Sequence, residues 1–183
     1  MPFQSSAKNF TMVLIAAITL SSCSEITTKK TDPAAIPELV LAGNEGLFRT
    51  MNLGDDINTV LKKETAKPLE VDSAYLYYEY ALPDSVGSFN VTYNFDEKGL
   101  FEIQSIIFIN NAEVTEEVQN RFKSYFDNYY GSSQTEMGFN IWSVKSEKFG
   151  QVKINLTDES SDFTIDNAPG KLSLWIYKEE SNS

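Results

Sequence analysis

The residues SFNVTYNFDEKGLFEIQSIIFI, 88–109, carry the clearest indication of the fold class of this chain. From Ser88 to Phe95, polar and apolar residues alternate, so one face of a strand is apolar and the other is polar. Such a half-exposed strand is typical of an antiparallel sheet. Residues 96–99, Asp-Glu-Lys-Gly, have the composition of a turn, and the apolar residues 100–109 follow them. The stretch therefore predicts a β-hairpin.

The sequence on both sides of this hairpin predicts two helices. Apolar residues recur at helical spacing in residues 53–64, where Asp55 is the expected N-cap. A wider apolar face runs through residues 114–131, with Thr115 as the expected N-cap and Gly131 as the stop. One helix therefore precedes the hairpin and the other follows it.

Four further segments have the composition of strands, one before the hairpin and three after the second helix. They are residues 74–82, 139–144, 151–156 and 171–177. The resulting order is helix, three strands, helix, three strands, which has the pattern of one unit present twice, in residues 53–110 and 112–177. We expect an α+β fold in which two αβββ units form one antiparallel sheet, with the two helices packed on one face.

The N-terminal residues have the features of a secretory signal peptide. The apolar run MVLIAAITL, residues 12–20, is too short to span a membrane, and Lys8 precedes it. The chain has a single cysteine, Cys23, which directly follows Leu20-Ser21-Ser22. These four residues resemble the lipobox of bacterial lipoproteins, in which leucine, a small residue and glycine or alanine precede the cysteine. Ser22 departs from that pattern but is small.

The lipobox resemblance implies cleavage between Ser22 and Cys23 and attachment of a diacylglycerol to the thiol of Cys23. The acyl chains would hold the mature chain on a membrane. Ser24 stands where enterobacterial lipoproteins of the inner membrane carry aspartate, and Glu25 alone is a poor match to acid-rich surface-export signals. We therefore expect an exported protein at the outer membrane, on its periplasmic rather than its surface side. The alternatives are an ordinary secretory signal with a chance cysteine, or a free cysteine buried in the fold.

The sequence predicts four parts of the chain. They are a lipoprotein signal peptide at 1–22, a tether from the acylated Cys23 at 23–46, a single α+β domain at 47–178 and a C-terminal tail at 179–183. The tether assignment follows from small and polar residues together with Pro33 and Pro37. Within this range, residues 39–41 are apolar enough to dock on the domain.

Composition argues against several classes of function. The chain has 26 acidic and 15 basic residues, a net charge of −11, and no histidine. Nucleic-acid binding needs basic clusters, and none occurs, so no nucleic-acid partner is expected. The lack of histidine excludes a Ser-His-Asp or Cys-His catalytic site and histidine-ligated zinc.

Acidic residues give little sign of a metal or catalytic site. Asp158, Glu159, Asp162 and Asp166 are not spaced as in an EF-hand, so a solvated hairpin loop is the preferred interpretation over calcium. The neighbouring Asp55 and Asp56 fit a helix cap better than a catalytic pair, because adjacent helical residues do not face each other. We therefore expect no enzyme, no metal and no cofactor.

The helix entry NLGDDINTVLKKE, residues 52–64, and the order of elements resemble a known group of proteins. They are similar to the small envelope lipoproteins of the outer-membrane assembly type, the SmpA/BamE-like group, and to the fold of the β-lactamase inhibitor proteins. The residue-level match covers Gly54 to Glu64, and element order carries the rest. The resemblance implies a binding scaffold rather than an enzyme.

Aromatic residues supply the candidate binding surface. The run YLYYEY, residues 75–80, carries tyrosines on both faces of a strand. Tyr77, Tyr78, Trp142 and Trp175 are the candidate ligand-binding residues, with packing in the core or across strands as the alternative. We expect a membrane-anchored, non-catalytic module that binds an envelope protein through an open sheet face or an edge strand. The alternative is a lipoprotein that binds a glycan or a peptide on the aromatic surface.

Overall fold

The computed structural model describes residues 32–43, 45–146, 150–162 and 169–179, and this part of the chain is a mixed fold of helices and strands. It contains three helices and one antiparallel sheet of eight strands. The helices are α1 (Ile36–Leu41), α2 (Ile57–Lys63) and α3 (Thr115–Tyr130). The strands are β1 (Glu70–Val71), β2 (Tyr75–Ala81), β3 (Gly87–Asp96), β4 (Gly99–Ile109), β5 (Gln134–Glu136), β6 (Phe139–Ser146), β7 (Gly150–Asp158) and β8 (Gly170–Lys178).

The predicted hairpin of residues 88–109 is confirmed as the pair β3–β4. The two strands meet at Asp96 and Gly99, and Gly99 has a φ of +104°, which a residue with a side chain adopts only under strain. A register shift between Asn94 and Phe95 marks a β-bulge. The backbone N–H of Lys98 donates to Oδ1 of Asp96 at 2.7 Å, which closes the turn.

The sheet has the strand order β1-β2-β3-β4-β8-β7-β6-β5. All neighbouring pairs are antiparallel. At the centre of the sheet, β4 pairs with β8, so strands far apart in sequence hold the two halves together. Each of α2 and α3 is followed by four strands, of which the first has only two or three residues and lies at a sheet edge.

One face of the sheet forms the hydrophobic core together with the helices. The apolar members of the alternation in β3, Phe89, Val91, Tyr93 and Phe95, are buried on this face. Helix α3 packs across β6, β7 and β8 and also contacts α1. Val60 of α2, together with Val118 and Phe122 of α3, belongs to the same core cluster.

The ends of the predicted helices differ from expectation. The carboxylate of Asp56, rather than that of Asp55, accepts the backbone N–H groups of residues 58 and 59 and caps α2. Helix α2 is also shorter than predicted, and Leu61 is exposed. Thr115 is the first residue of α3, and its side chain makes no capping bond. Gly131 ends α3 with a φ of +83°, as the sequence predicted.

Residues 33–41 lie in the range expected to be a tether, but they fold against the domain. Pro33–Ala35 form a turn of 3-10 helix that leads into α1. Ile36, Val40 and Leu41 are buried in the core, whereas Leu39 is exposed. The folded part of the chain therefore begins before residue 47, because a short helix with one apolar side is stable once that side is covered. None of the helices in the described residues has the length and hydropathy needed to cross a membrane.

Candidate functional site

The four aromatic candidates lie on opposite faces of the sheet. Tyr78 and Trp142 are buried under the helices, with exposures of 0% and 1%. Tyr77 is half-buried and Trp175 is 42% exposed, and both lie on the other face. Along a strand, successive side chains point to opposite faces of the sheet. Tyr78 and Trp142 therefore do not share a surface with Tyr77 and Trp175.

Trp142 joins β6 to the end of α3. Its indole Nε1 donates to Oδ1 of Asp127 at 2.9 Å, and its ring centroid lies 5.1 Å from that of Phe126. Burial disfavours the charged carboxylate of Asp127, but hydrogen bonds from Lys123, Trp142 and the backbone of Ser133 together hold its pKa below the ordinary value. Trp142 thus has a packing role.

Tyr78 is a core residue of β2. Its hydroxyl is buried and has no hydrogen-bond partner in the described part of the chain. Its ring lies edge-on to that of Tyr93, with 5.8 Å between the centroids. Burial, with a smaller effect from the charge of Glu64, raises the pKa of Tyr78 to about 12.

The face opposite the core carries a continuous row of side chains across the sheet. From β2 to β7, the register aligns Tyr77, Thr92, Gln104, Trp175 and Asn155. We call the face that these residues define the open face, because the helices of the described residues contribute their buried side chains to the core on the opposite side. Tyr77 and Trp175 lie three strands apart on it, or roughly 14 Å.

A groove surrounds Trp175 on the open face. It has a volume of about 330 Å³, and residues that line it include Glu102, Glu136, Phe139, Asn155, Trp175 and Tyr177. We call it the Trp175 groove. Met137, in the turn between β5 and β6, lies at its edge and is 90% exposed. An aromatic floor with a few polar groups is the usual composition of a binding pocket.

Asn155 lies in the floor of the Trp175 groove. Its Nδ2 donates to the hydroxyl of Tyr177 at 3.2 Å. Its Oδ1 is buried and accepts no hydrogen bond from the described residues. A buried acceptor without a hydrogen-bond donor is energetically unfavourable. A ligand that places a donor in the groove would therefore gain binding free energy at Oδ1 of Asn155.

A second hollow lies at the other end of the open face, beside β2. It has a volume of about 470 Å³ and is lined in part by Leu69, Glu79, Asn90 and Phe108. Strand β1 pairs only with residues 76 and 77 of β2, so the remaining outer edge of β2 has no strand beside it in the described residues. This edge could accept a further strand.

Two tyrosines of the open face donate hydrogen bonds to glutamates. The hydroxyl of Tyr75 donates to Glu70 at 2.8 Å, and that of Tyr77 donates to Glu79 at 2.7 Å. The hydrogen bond to Glu70 is the main reason why the pKa of Tyr75 is raised. For Tyr77, burial is the largest cause and the bond to Glu79 adds to it. Both phenols therefore remain neutral hydrogen-bonding groups near pH 7.

A buried ion pair, which the sequence analysis did not identify, lies on the core side. The Nε of Arg49 donates to Oε1 of Glu64 at 2.9 Å, and Nη2 donates to Oε2 at 3.3 Å. Tyr80 donates to Oε2 at 2.7 Å, and Tyr93 donates to Oε1. Nη1 of Arg49 reaches the carbonyl of Val40 at 3.1 Å. No periodicity marks either charge, because Arg49 lies in a turn and Glu64 follows a helix.

This ion pair has the features of a structural group. The side chains of Arg49 and Glu64 are only 7% and 2% exposed. Burial disfavours the charged form of Arg49. The hydrogen bond to Glu64 and the negative charge of Glu64 outweigh this and raise the pKa of the guanidinium above its ordinary value. The carboxylate accepts four hydrogen bonds and offers no accessible oxygen for a substrate, so the group stabilises the fold.

The remaining predicted site residues cannot be placed. Ser22 and Cys23 lie outside the described residues, and so does Asp166 of the acidic loop. Within the described residues, no group of three or more metal-ligating side chains is arranged to hold an ion. The expectations of lipidation, of no metal and of no cofactor stay predictions.

Comparison with known proteins does not add a relative. No family model, no curated protein and no solved structure matches this chain. The similarity to envelope lipoproteins and to β-lactamase inhibitor proteins therefore stays a prediction.

Proposed function

We propose that this chain is a lipid-anchored protein of the bacterial envelope, on the periplasmic side of the outer membrane, and a non-catalytic protein-interaction module. The observation that carries the proposal is the open face, on which Trp175 is 42% exposed and Tyr77 is half-buried. Trp and Tyr are enriched at protein interfaces because they combine a large apolar area with a polar group.

The open face is large enough for a specific interface. Eight strands at a spacing of about 4.8 Å make a sheet roughly 35 Å wide. A standard interface buries about 800 Å² on each partner, which such a face accommodates. Antiparallel strands on a packed core are also a rigid support, so binding does not require the face to become ordered.

The proposed anchor is Cys23, as the lipobox resemblance implies. Residues 24–31 then separate it from the folded domain, which places the domain within roughly 30 Å of the membrane surface. Cys23→Ser should leave an uncleaved precursor that lacks lipid. Mass spectrometry and fractionation of the cells measure this. Ser24→Ala is the control and should mature normally. A Cys23→Ser chain that matures and fractionates like the parent would contradict the anchor.

We also propose that the two halves of the sheet are copies of one unit, the finer form of the predicted αβββ arrangement. The strand order supports this, because β1-β2-β3-β4 and β5-β6-β7-β8 run inward from the two edges to the central β4–β8 pair. Each half is preceded by one helix, α2 or α3. A circular permutant that starts at residue 112 should retain the parent's circular dichroism, and loss of folding would count against equivalent halves.

Site-specific crosslinking in intact cells tests the interaction. A photo-crosslinking phenylalanine is placed at Thr92 or Gln104 of the open face, and at Asn120 on the exposed side of α3 as the control. We expect the two open-face positions to capture the same envelope protein and the control position to capture none of it. Equal capture from all three positions, or none from the open face, would overturn the proposal.

The second candidate function is binding of a glycan or a peptide, favoured by the Trp175 groove. Its exposed indole and the amide of Asn155 could stack on a sugar and bond to its hydroxyls. Cell-wall fragments added to the purified protein should then change tryptophan emission, and Trp175→Ala should remove the change. Trp142 is buried and serves as an internal reference. Unchanged emission at millimolar fragment concentration would reject this function.

A further inference from the structure

The charges of the open face are unevenly neutralised. Lys153 lies 3.6 Å from Glu179, and Lys171 lies 2.6 Å from Glu159, so these two cations already have acidic partners. Lys145 of β6 also lies on this face and forms no ion pair with the described residues. Four other glutamates of the same face lack such a partner in the described part of the chain. In the described residues, no lysine or arginine forms an ion pair with Glu70, Glu79, Glu102 or Glu136.

Hydrogen bonds leave part of these carboxylates available. Oε1 of Glu102 accepts from the amides of Asn94 and Gln104 at 2.8 and 2.7 Å, while its Oε2 accepts from none of the described residues. The carboxylate of Glu136 is exposed and has no hydrogen-bond donor among the described residues. Both acids line the Trp175 groove.

The two acids lie on opposite sides of Trp175. Glu102 is on β4 and Glu136 is on β5, four strand spacings away, or roughly 19 Å across the sheet. Trp175 and Tyr177 of β8 lie between them and offer aromatic rings to a ligand. A guanidinium or ammonium group is attracted both by carboxylates and by the faces of such rings. An extended segment of about six residues would contact both acids.

We propose that the Trp175 groove binds a cationic, extended segment of a partner protein, with arginine or lysine side chains directed at Glu102 and Glu136. This inference rests on the proposed interaction function and names the chemistry of the partner. The N–H groups of such side chains or of the segment's backbone would also supply a donor for Oδ1 of Asn155. A polyanion would meet four unneutralised carboxylates, so it is disfavoured on this face.

Peptide titration tests the chemistry. The purified full-length protein, in a non-ionic detergent, is titrated with a fluorescein-labelled decapeptide of alternating arginine and serine. Polarisation and tryptophan emission are followed together. We expect saturable binding that weakens about tenfold or more between low and physiological salt. The counterpart decapeptide of alternating glutamate and serine should not bind.

A matched pair of double variants separates the groove from general acidity. Glu102→Gln with Glu136→Gln removes two charges from the groove, and binding should weaken about tenfold or more. Glu113→Gln with Glu116→Gln removes two charges at the start of α3, where both side chains are exposed, and binding should stay within about twofold. Trp175→Ala should weaken binding and remove the emission change. Circular dichroism checks that all variants are folded.

The outcomes distinguish this inference from the proposed function. Equal weakening in both double variants, or equal binding of the glutamate peptide, would overturn the cationic segment. If crosslinking from Gln104 captures a partner whose contact segment lacks arginine and lysine, the interaction function stands and the cationic segment fails. If the open face captures no protein and the arginine peptide does not bind, both fail.

Discussion

The carboxylate of Glu64 joins three separate parts of the fold. It binds Arg49 from the turn before α2, Tyr80 from β2 and Tyr93 from β3. Arg49 in turn binds the carbonyl of Val40 near the end of α1, and its guanidinium lies 4.3 Å from the ring centroid of Tyr80. A buried pair of this kind is stable only when all of its hydrogen bonds are made.

Removing the charge of Glu64 should therefore be severe. Glu64→Gln leaves Arg49 buried without its counter-charge, and we expect the free energy of unfolding to fall by about 3–5 kcal/mol. Urea denaturation followed by circular dichroism measures this loss. Glu97→Gln, in the exposed hairpin turn, is the control and should stay within about 0.5 kcal/mol of the parent. A loss below about 1 kcal/mol for Glu64→Gln would show that the pair contributes little.

Helix α1 illustrates how a short element depends on its contacts. It has only six residues, too few to be stable alone, but three of its apolar side chains are in the core and Arg49 binds its carbonyl end. Its place in the fold is thus a consequence of packing. The short strands β1 and β5 likewise depend on the hydrogen bonds that they form with β2 and β6.

Core truncation in α1 tests whether it belongs to the domain. Ile36 is fully buried, and Ile36→Ala should lower the free energy of unfolding by about 2–5 kcal/mol. Leu39, in the same helix, is 39% exposed, and Leu39→Ala should cost less than about 1 kcal/mol. Urea denaturation of the two variants provides the comparison. Equal, small losses would mean that α1 is attached only loosely.

The start of α3 rests directly on β8. A Cβ placed on Gly170 would lie 1.7 Å from Oγ1 of Thr115 and 2.8 Å from its Cβ, so the two elements meet without room for a side chain. The hydroxyl of Thr115 is itself buried and has no partner in the described residues. Gly170 therefore sets how closely α3 approaches the sheet.

A double-mutant cycle tests this contact. Gly170→Ala should cost about 2 kcal/mol or more, since the alanine overlaps with Thr115. Adding Thr115→Ala removes the hydroxyl, so the double variant should recover about 1 kcal/mol or more of the sum of the single losses. Thr115→Ala alone is the control, because it removes the hydroxyl without placing a new Cβ on residue 170. Strict additivity would show that the two residues do not interact.

At the scale of the whole molecule, one core beneath one sheet face holds the described elements together. The core cluster contains side chains from all three helices and from strands on both sides of the central β4–β8 pair. It also contains Tyr78 and Tyr93, whose phenols are shielded from water. A single core predicts that unfolding is cooperative and that these phenols become accessible only when the whole domain unfolds.

Alkaline pH should therefore unfold the molecule cooperatively. Burial raises the pKa of Tyr78 to about 12, and burial together with Glu64 raises the pKa of Tyr93 well above its ordinary value. The folded state then keeps protons that the unfolded state releases above about pH 10. The contribution of these neutral phenols to the free energy of unfolding is fully present below about pH 10. It falls as the pH rises, by up to about 1.4 kcal/mol per pH unit for each tyrosine.

Tyrosinate absorbance and circular dichroism measure this transition. The part of the tyrosinate absorbance that comes from the buried phenols should appear together with the loss of circular dichroism above about pH 10. Tyr78→Phe removes one buried phenol without breaking a hydrogen bond, so its stability should fall less steeply with pH and should be no lower than that of the parent at pH 7. Stability that stays constant between about pH 9 and pH 11.5 would contradict the argument.

The elements with a strong local pattern could be predicted from the amino-acid sequence. The alternation in residues 88–95, the turn at residues 96–99 and the apolar face of residues 114–131 each predict an element that the structure contains. These patterns are readable because strands have a period of two residues and helices a period of 3.6. The general antiparallel, mixed character of the fold follows from them.

Which face of the sheet is covered, and which strands pair, depends on tertiary packing and could not be predicted from local patterns. Trp142 and Trp175 lie in similar strand sequences, yet one is buried by α3 and the other is exposed, because coverage depends on where the helices pack. The pairing of β4 with β8, the docking of α1 and the meeting of Arg49 with Glu64 likewise join residues or elements through packing. Local periodicity contains no information on such contacts, since they are selected by the combined burial of the whole core.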